Sequence, residues 1–341
     1  MPFELSPSPA PVNPLAHSTA SAPSPHLPAA VEEDLARVEA RLAAELTSRE
    51  ERLGAVAAHL VQAGGKRIRP AVLLLVFHAA GGGSRRDDAI TSAVALELIH
   101  SATLLHDDII DGGETRRGRP SALAAFGLAD TLVAGDFLFS RAFAGCAGFE
   151  AEVIRWAAEA CIGLTEGEVM QGRFRHDPTV GVDDYLEIIE RKTASLFAAG
   201  ARTAAHLAHA SLPLVEAMGA CGRHVGLAFQ MTDDLLDVEG HPALTGKPRG
   251  IDLRDGNPSL PIVLALQADA ELARLFASRH LTPAEVEVGL ARIRRAGVLG
   301  AVAERAQAHV AAALAEMARL PESAARAALE ALAQGLAERR A

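Results

Sequence analysis

The sequence predicts an all-α fold on three grounds. Apolar residues recur three and four apart, as at Leu35, Val38, Leu42 and Leu46, which places them on one helix face. Ala, Leu, Glu, Arg and Gln, all strong helix formers, dominate from about Glu32 to the C-terminus. No stretch alternates β-branched or aromatic residues with polar ones, and aromatics make up only 4% of the 341 residues, so strands are not expected.

Taken in order, residues 1–30 read as a disordered Pro/Ser/Ala-rich extension. Eight of the 18 prolines fall before residue 29, and such a stretch cannot bury enough apolar surface to fold. Residues 31–341 read as one large helical domain, and the 49% hydrophobic content is ample for its core. Pro70 opens an apolar helix whose run Ala71–Phe77 is far shorter than the roughly 20 residues of a bilayer span. No basic-then-apolar leader precedes it, so a cytoplasmic protein with no transmembrane segment is expected. Thr282, Pro283 and Glu285 combine a cap, a first-turn proline and a capping-box glutamate, which marks a late helix start.

The 33 Lys and Arg stand against 43 Asp and Glu, a net charge of −10, and this argues against nucleic-acid binding, which needs a basic face. An anionic small molecule remains compatible if cations gather at one site. Cys146, Cys161 and Cys221 form no CxxC pair; this excludes a disulfide framework or a thiolate zinc site and fits a reducing compartment.

One short motif, DDxxD, occurs twice, as Asp107, Asp108 and Asp111 and as Asp233, Asp234 and Asp237. Each copy ends an apolar helical stretch. Residues four apart on a helix differ by about 40° around the axis and about 6 Å along it, so the first and last carboxylates address one small volume. Crowded carboxylates call for a hard cation, and Mg²⁺, which keeps few protein ligands, suits a magnesium–diphosphate cluster held between two such helices. A solvated acidic helix end is the plain alternative for either copy alone; two copies flanked by Leu and Ile argue against it. Gly64 and Gly65 precede Lys66, Arg67 and Arg69 at a helix start, where backbone N–H groups plus Lys66 and Arg69 suit a diphosphate. Arg116 and Arg117 follow the first acidic motif and either balance its charge or grip phosphate oxygens.

In this order the residues resemble the trans-type polyprenyl diphosphate synthases (the polyprenyl synthetase family). The resemblance is carried by GGKRIRP (64–70), ELIHSATLLHDDIIDGGETRRGRP (97–120), FGLADTLVAGDFLFSRAF (126–143), EGEVMQG (166–172), YLEIIERKTASLF (185–197) and GLAFQMTDDLLDVEGHPALTGKPRGIDLRDGNPSLP (226–261). It is dense from about 60 to 265, and nearest to bacterial long-chain members of the octaprenyl type. The resemblance implies one large helical bundle around a central cavity (the isoprenoid synthase type), a homodimer, three Mg²⁺ per site, and condensation of isopentenyl diphosphate onto an allylic diphosphate. It assigns Asp107, Asp111 and Asp233 as principal magnesium ligands, supported by Asp108, Asp234 and Asp237. Arg116 would contact the allylic diphosphate, and Lys66, Arg69, His100 and Arg117 would bind isopentenyl diphosphate. Lys192, Thr193, Gln230 and Lys247 would line the reacting centre. From spacing alone His100 reads as a packed histidine and Gln230 as a satisfied amide, while Trp156 and Tyr185 read as packing.

Product length should follow the helix face leading into Asp107. Ala102 and Thr103 are small and leave the first turn open, whereas Ile99, Leu96, Phe139 or Phe143 would form a floor lower down. A product of about 35 to 50 carbons, centred on forty, is expected at about 5 Å of tail per isoprene unit, one helical turn. Three rivals remain. A geranylgeranyl diphosphate synthase differs only in product size. A terpene cyclase needs no isopentenyl site, and a non-catalytic partner subunit need not keep all six aspartates.

Overall fold

The computed structural model describes residues 26–116, 118–240 and 249–338; the extension up to residue 25, Arg117 and Lys247 lie outside the described residues. The helices are α1 (Ala29–Glu45), α2 (Glu51–Val61), α3 (Ile68–Ala79), α4 (Arg86–Ile110), α5 (Ala122–Phe126), α6 (Leu128–Gly145), α7 (Ala151–Arg173), α8 (Val182–Ile189), α9 (Ser195–Leu207) and α10 (Leu212–Glu239). After these come α11 (Ile251–Asp255), α12 (Leu260–Leu266), α13 (Ala270–Phe276), α14 (Pro283–Arg295), α15 (Leu299–Met317) and α16 (Ala324–Ala337). The all-α expectation is met with one small difference. Thr115–Arg116 pairs antiparallel with Arg119–Pro120, a two-residue ladder too short to leave an alternating pattern in sequence. The helical body also begins earlier than residue 31, since Leu27 is buried and α1 starts at Ala29.

Hydrophobicity sorts the helices into layers. Helix α3 is buried around nearly its whole circumference, from Ile68 through Phe77, as expected of a helix apolar on all sides. It starts at Ile68, two residues ahead of Pro70. Helices α1, α4, α9 and α16 pack around it, α6 lies on α4, and α10 lies between α9 and α15. A second group of buried residues joins the C-terminal half of α10 to α12, α13 and α14. Each large side chain removed from water in these layers contributes about 1.5–3 kcal/mol.

Helix α4 is long and apolar enough to cross a membrane by composition alone, but 72% of its apolar window is buried by neighbouring helices. It is the core helix that carries the first acidic motif. Polar groups fasten it: Asp34 on α1, fully buried, accepts hydrogen bonds from His78 (2.8 Å) and Arg86 (2.6 Å). The capping box at Thr282 and Glu285 forms as expected and starts α14.

Between α8 and α9 the chain makes one π turn, Glu190–Ala194. A π turn inserts an extra residue and re-aims the side chains that follow, and here it carries Lys192 and Thr193. It is held by close backbone approach on both sides. A Cβ at Gly167 of α7 would sit 2.6 Å from the Lys192 nitrogen, and one at Gly226 of α10 would sit 2.6 Å from the Ala194 Cα. Gly226→Ala should therefore cost about 1–3 kcal/mol by overpacking. Gly335→Ala on α16, where nothing lies within 4 Å, should gain about 0.5–1 kcal/mol from helix propensity. Chemical denaturation of the two variants checks the opposite signs.

Candidate active site

Two helix ends build the site. Helix α4 ends with Asp107, Asp108 and Asp111, and α10 with Asp233, Asp234 and Asp237. A helix C-terminus carries partial negative charge, so each cluster stands where carboxylates are least favoured without cations. The two meet across one polar cavity of about 180 Å³, lined by Asp111 from the first cluster and Asp234 from the second, with Lys192, Thr193, Gln230 and Asp252 between them. One aspartate of each motif thus lines the cavity, while Asp107, Asp108, Asp233 and Asp237 are not among its lining residues.

Within the first cluster the carboxylates divide. Asp107 has Lys192 Nζ at 3.9 Å. Lys192 is also paired with Glu168 and donates to Gln171 (2.7 Å). Asp108 is turned inward, 2% exposed, and accepts from Arg116 Nε at 2.7 Å, while its Oδ2 is buried without a hydrogen-bond partner. Asp111 is exposed and pairs with Arg175. Burial pushes the Asp107 carboxyl up to about 7, with Lys192 pulling down and Glu168 and Asp111 pushing further up. Burial works against the charge on Lys192, but Asp107 and Glu168 outweigh it and hold its pKa above the usual range.

In the second cluster Asp233 is exposed, Asp234 is a buried hub, and Asp237 closes a turn. Asp234 accepts from Tyr185 OH (2.7 Å), the Leu260 N–H (3.0 Å) and Gln230 Nε2 (3.0 Å). Burial still pushes it up to about 6. Gln230 in turn accepts from Thr193 Oγ1 at 3.0 Å, so Thr193, Gln230, Asp234 and Tyr185 form one fixed chain. Asp237 accepts the N–H groups of Ile251 (3.0 Å) and Asp252 (3.2 Å) at the start of α11. Burial first, then the charges of Asp237, Asp234 and Asp233, drives Asp252 well above the carboxylate range.

Of the expected cations, Arg69 is half-buried, with its guanidinium 4.9 Å above the Phe197 ring and its Nε buried without a partner. Glu97 and Asp233 support its charge. Lys66 is exposed at the turn before α3. Its neighbour Arg67 is buried among Glu97, Glu39 and the Val61 carbonyl and has a structural role. His100 is half-buried on α4. Ala102 is fully buried, and half-buried Thr103 gives its hydroxyl to the His100 carbonyl.

The donor set fits a hard divalent ion. Every candidate ligand is a carboxylate oxygen, one of them buried and unpartnered, and proton affinities raised by burial and then by neighbouring carboxylates are what a cation relieves. Among the described residues no group of three or more His, Cys, Asp or Glu converges to hold an ion unaided. Oxygens from a ligand are needed to complete a shell.

The family profile of the polyprenyl synthetases matches residues 50–290. The chain belongs to that family. A polyprenyl synthase of Caulobacter crescentus CB15, solved with calcium and isoprenyl diphosphate, is similar with a TM-score of 0.87 at 37% identity, covering 91% of this chain and 96% of that one. The octaprenyl diphosphate synthase of Haemophilus influenzae is 38% identical over 71% of this chain and 74% of its own. The geranylgeranyl diphosphate synthase of Methanosarcina mazei is 36% identical over 77% and 82%. This member of the polyprenyl synthetases is a prenyltransferase, and relatives of different product length match it equally well.

Sequence reasoning missed several residues of this polyprenyl synthetase site. Tyr185, read as packing, donates to Asp234. Glu168 and Gln171 hold Lys192 from the EGEVMQG block, where their three-residue spacing was the available signal. Asp252 and Asn257 lie in the 226–261 block but were not singled out there, and Arg175 carried no local signal because only the folded loop brings it to Asp111. Tyr185→Phe should leave Asp234 Oδ2 with the Leu260 N–H alone and cost about 1–2 kcal/mol. Denaturation measures it, with helical content expected to stay unchanged.

Proposed function

We propose that this polyprenyl diphosphate synthase makes a long product, about 35 to 50 carbons and centred on forty, by adding isopentenyl diphosphate to an allylic diphosphate with three Mg²⁺. The observation that carries the length is a second, apolar cavity of about 60 Å³ lined by Ser92, Ala95, Leu96 and Ile99 of α4 together with Phe143 and Ile154. These α4 positions follow one stripe down from Asp107 through Thr103, and Ser92 lies about 22 Å from Asp107 at about 1.5 Å per residue. That depth alone takes about four isoprene units, or about twenty carbons, so the longer product rests on the tail continuing past the far end. Phe143 and Ile154 stand 40% and 37% exposed at the cavity's edge, so the far end is a rim that a longer tail passes. Phe139 lies instead against His106.

The chemistry follows from the chain's own groups. The divalent ions, when bound with diphosphate, neutralise charge growing on the leaving group. Asp107, Asp111 and Asp233 would hold them, with Asp108, Asp234 and Asp237 fixing those positions from behind. Lys192 and Arg116 add positive charge on the allylic side, and Lys247 is assigned there too. Lys66, Arg69, His100 and Arg117 would seat isopentenyl diphosphate; half-buried Arg69, with a buried, unpartnered nitrogen and Asp233 nearby, supports this. Thr193 lines the cavity and donates its proton to Gln230, which leaves its oxygen lone pairs available to stabilise an allylic cation without capturing it. The apolar walls exclude water that would quench that cation.

The assembly is proposed to be a homodimer. Apart from Phe143 and Ile154 at the cavity's edge, five of the ten large hydrophobics exposed among the described residues lie on α6 and α7: Leu128, Leu132, Val133, Ile162 and Val169. Such a concentration calls for a covering surface. Free thiols at Cys146, Cys161 and Cys221 support a reducing, cytoplasmic setting.

Incubation with farnesyl diphosphate, isopentenyl diphosphate and Mg²⁺, on protein whose mass is read by light scattering, tests both parts. The expected result is a dimer releasing products of 35 carbons or more, with Thr103→Phe shortening them. A 20-carbon product or a monomer would contradict the respective part.

A further inference from the structure

Arg175 lies outside every motif read from the sequence, yet it touches both halves of the site. Its terminal nitrogen pairs with Asp111 of the first acidic cluster, and its Nε donates to Asn257 at 3.1 Å. Asn257 lines the polar cavity on the side of the second cluster, next to Pro258 and Ser259. Arg175 and Asp111 are 23% and 33% exposed, partly shielded from the solvent that weakens surface pairs.

The backbone that presents Arg175 is fixed. The neighbouring His176 sits at φ +60°, donates its N–H to the Gly256 carbonyl at 2.9 Å, and has its ring at 3.1 Å from the Phe276 carbonyl. A Cβ at Gly256 would meet the His176 ring at 2.2 Å. The loop after α7 is thus locked onto the turn before α12, and a non-glycine residue at positive φ is held there beside the cavity. A locked backbone loses little further freedom when the side chain orders, which separates this pair from an incidental surface contact.

Each carboxylate of the first cluster has its own cation: Lys192 near Asp107, Arg116 on Asp108, Arg175 on Asp111. Arg116 binds a buried oxygen, facing inward. Arg175 instead binds the exposed carboxylate that the proposed function gives to a metal. Arg254, the other cation near Asp111, is committed to Asp255 through two hydrogen bonds.

We propose that Arg175 is a positioning residue that stands in for the metal at Asp111: it holds the two acidic clusters in register before loading, and a divalent ion must displace it from that carboxylate. This rests on the metal–diphosphate reading of the site. Arg175 then sets the metal concentration at which the enzyme loads. The test is Mn²⁺ binding followed by electron paramagnetic resonance, with no prenyl substrate, in wild type, Arg175→Gln, Arg175→Lys and Arg173→Gln. Arg175→Gln should bind Mn²⁺ roughly fivefold more tightly, the scale of one half-shielded ion pair, and its metal-free form should melt lower than wild type. Arg175→Lys, which keeps the charge but not the fork, should fall between. Arg173→Gln, which removes the same charge two residues away, should shift affinity less than about twofold because solvent and salt screen it. Unchanged or weaker Mn²⁺ binding in Arg175→Gln, or an equal gain in Arg173→Gln, overturns the proposal. Wild type that binds no Mn²⁺ even with inorganic pyrophosphate overturns the metal–diphosphate reading along with it.

Discussion

The structure depends on one electrostatic constraint: six carboxylates stand at the C-terminal ends of two helices that converge on a single cavity. Both the helix dipoles and mutual repulsion oppose that arrangement. The fold tolerates it by giving each buried acid a defined counterpart. Arg116 answers Asp108, the Tyr185, Gln230 and Leu260 donors answer Asp234, and the start of α11 answers Asp237. Asp111 at the cavity has only the partly exposed Arg175, and Asp107 has Lys192 at 3.9 Å. Their residual charge is a standing affinity for cations, and a magnesium–diphosphate cluster brings both the charge and the oxygens that the protein does not supply.

The same constraint explains features that look unrelated. Lys192 and Thr193 must reach the cavity from one segment, and the π turn at Glu190–Ala194 aims them there. Gly167 and Gly226 let α7 and α10 close on that turn, so its position is set by backbone contact. Below the charged mouth α4 changes character within about three turns, from Asp107 to Ile99 and Leu96. One helix therefore carries both the ionising end and the wall for the hydrocarbon tail.

Much of this was legible in the sequence where the signal was local. The helices follow from apolar spacing, the aspartates from their four-residue separation, and the start of α14 from Thr282 and Glu285. What was illegible depends on contacts distant in sequence. Nothing in the spacing of residues 185–197 signals an extra residue in the helix. Tyr185 looked like packing because its ring is buried, whereas its hydroxyl serves Asp234, 49 residues away. Arg67 looked equivalent to its basic neighbours, but Glu39 and Glu97 take it into the interior. Arg175 gains meaning only when the loop after α7 docks on Gly256.

The central claim, that both acidic clusters grip one metal–diphosphate unit, is tested most directly by a double-mutant cycle on Asp107→Asn and Asp233→Asn, reading inorganic pyrophosphate affinity in Mg²⁺ by calorimetry. If the clusters act on the same unit, either change alone removes most of the binding and the double variant loses little more, a non-additive result expected of residues sharing a ligand. Losses that simply add would mean that the two clusters act independently, and would contradict the account.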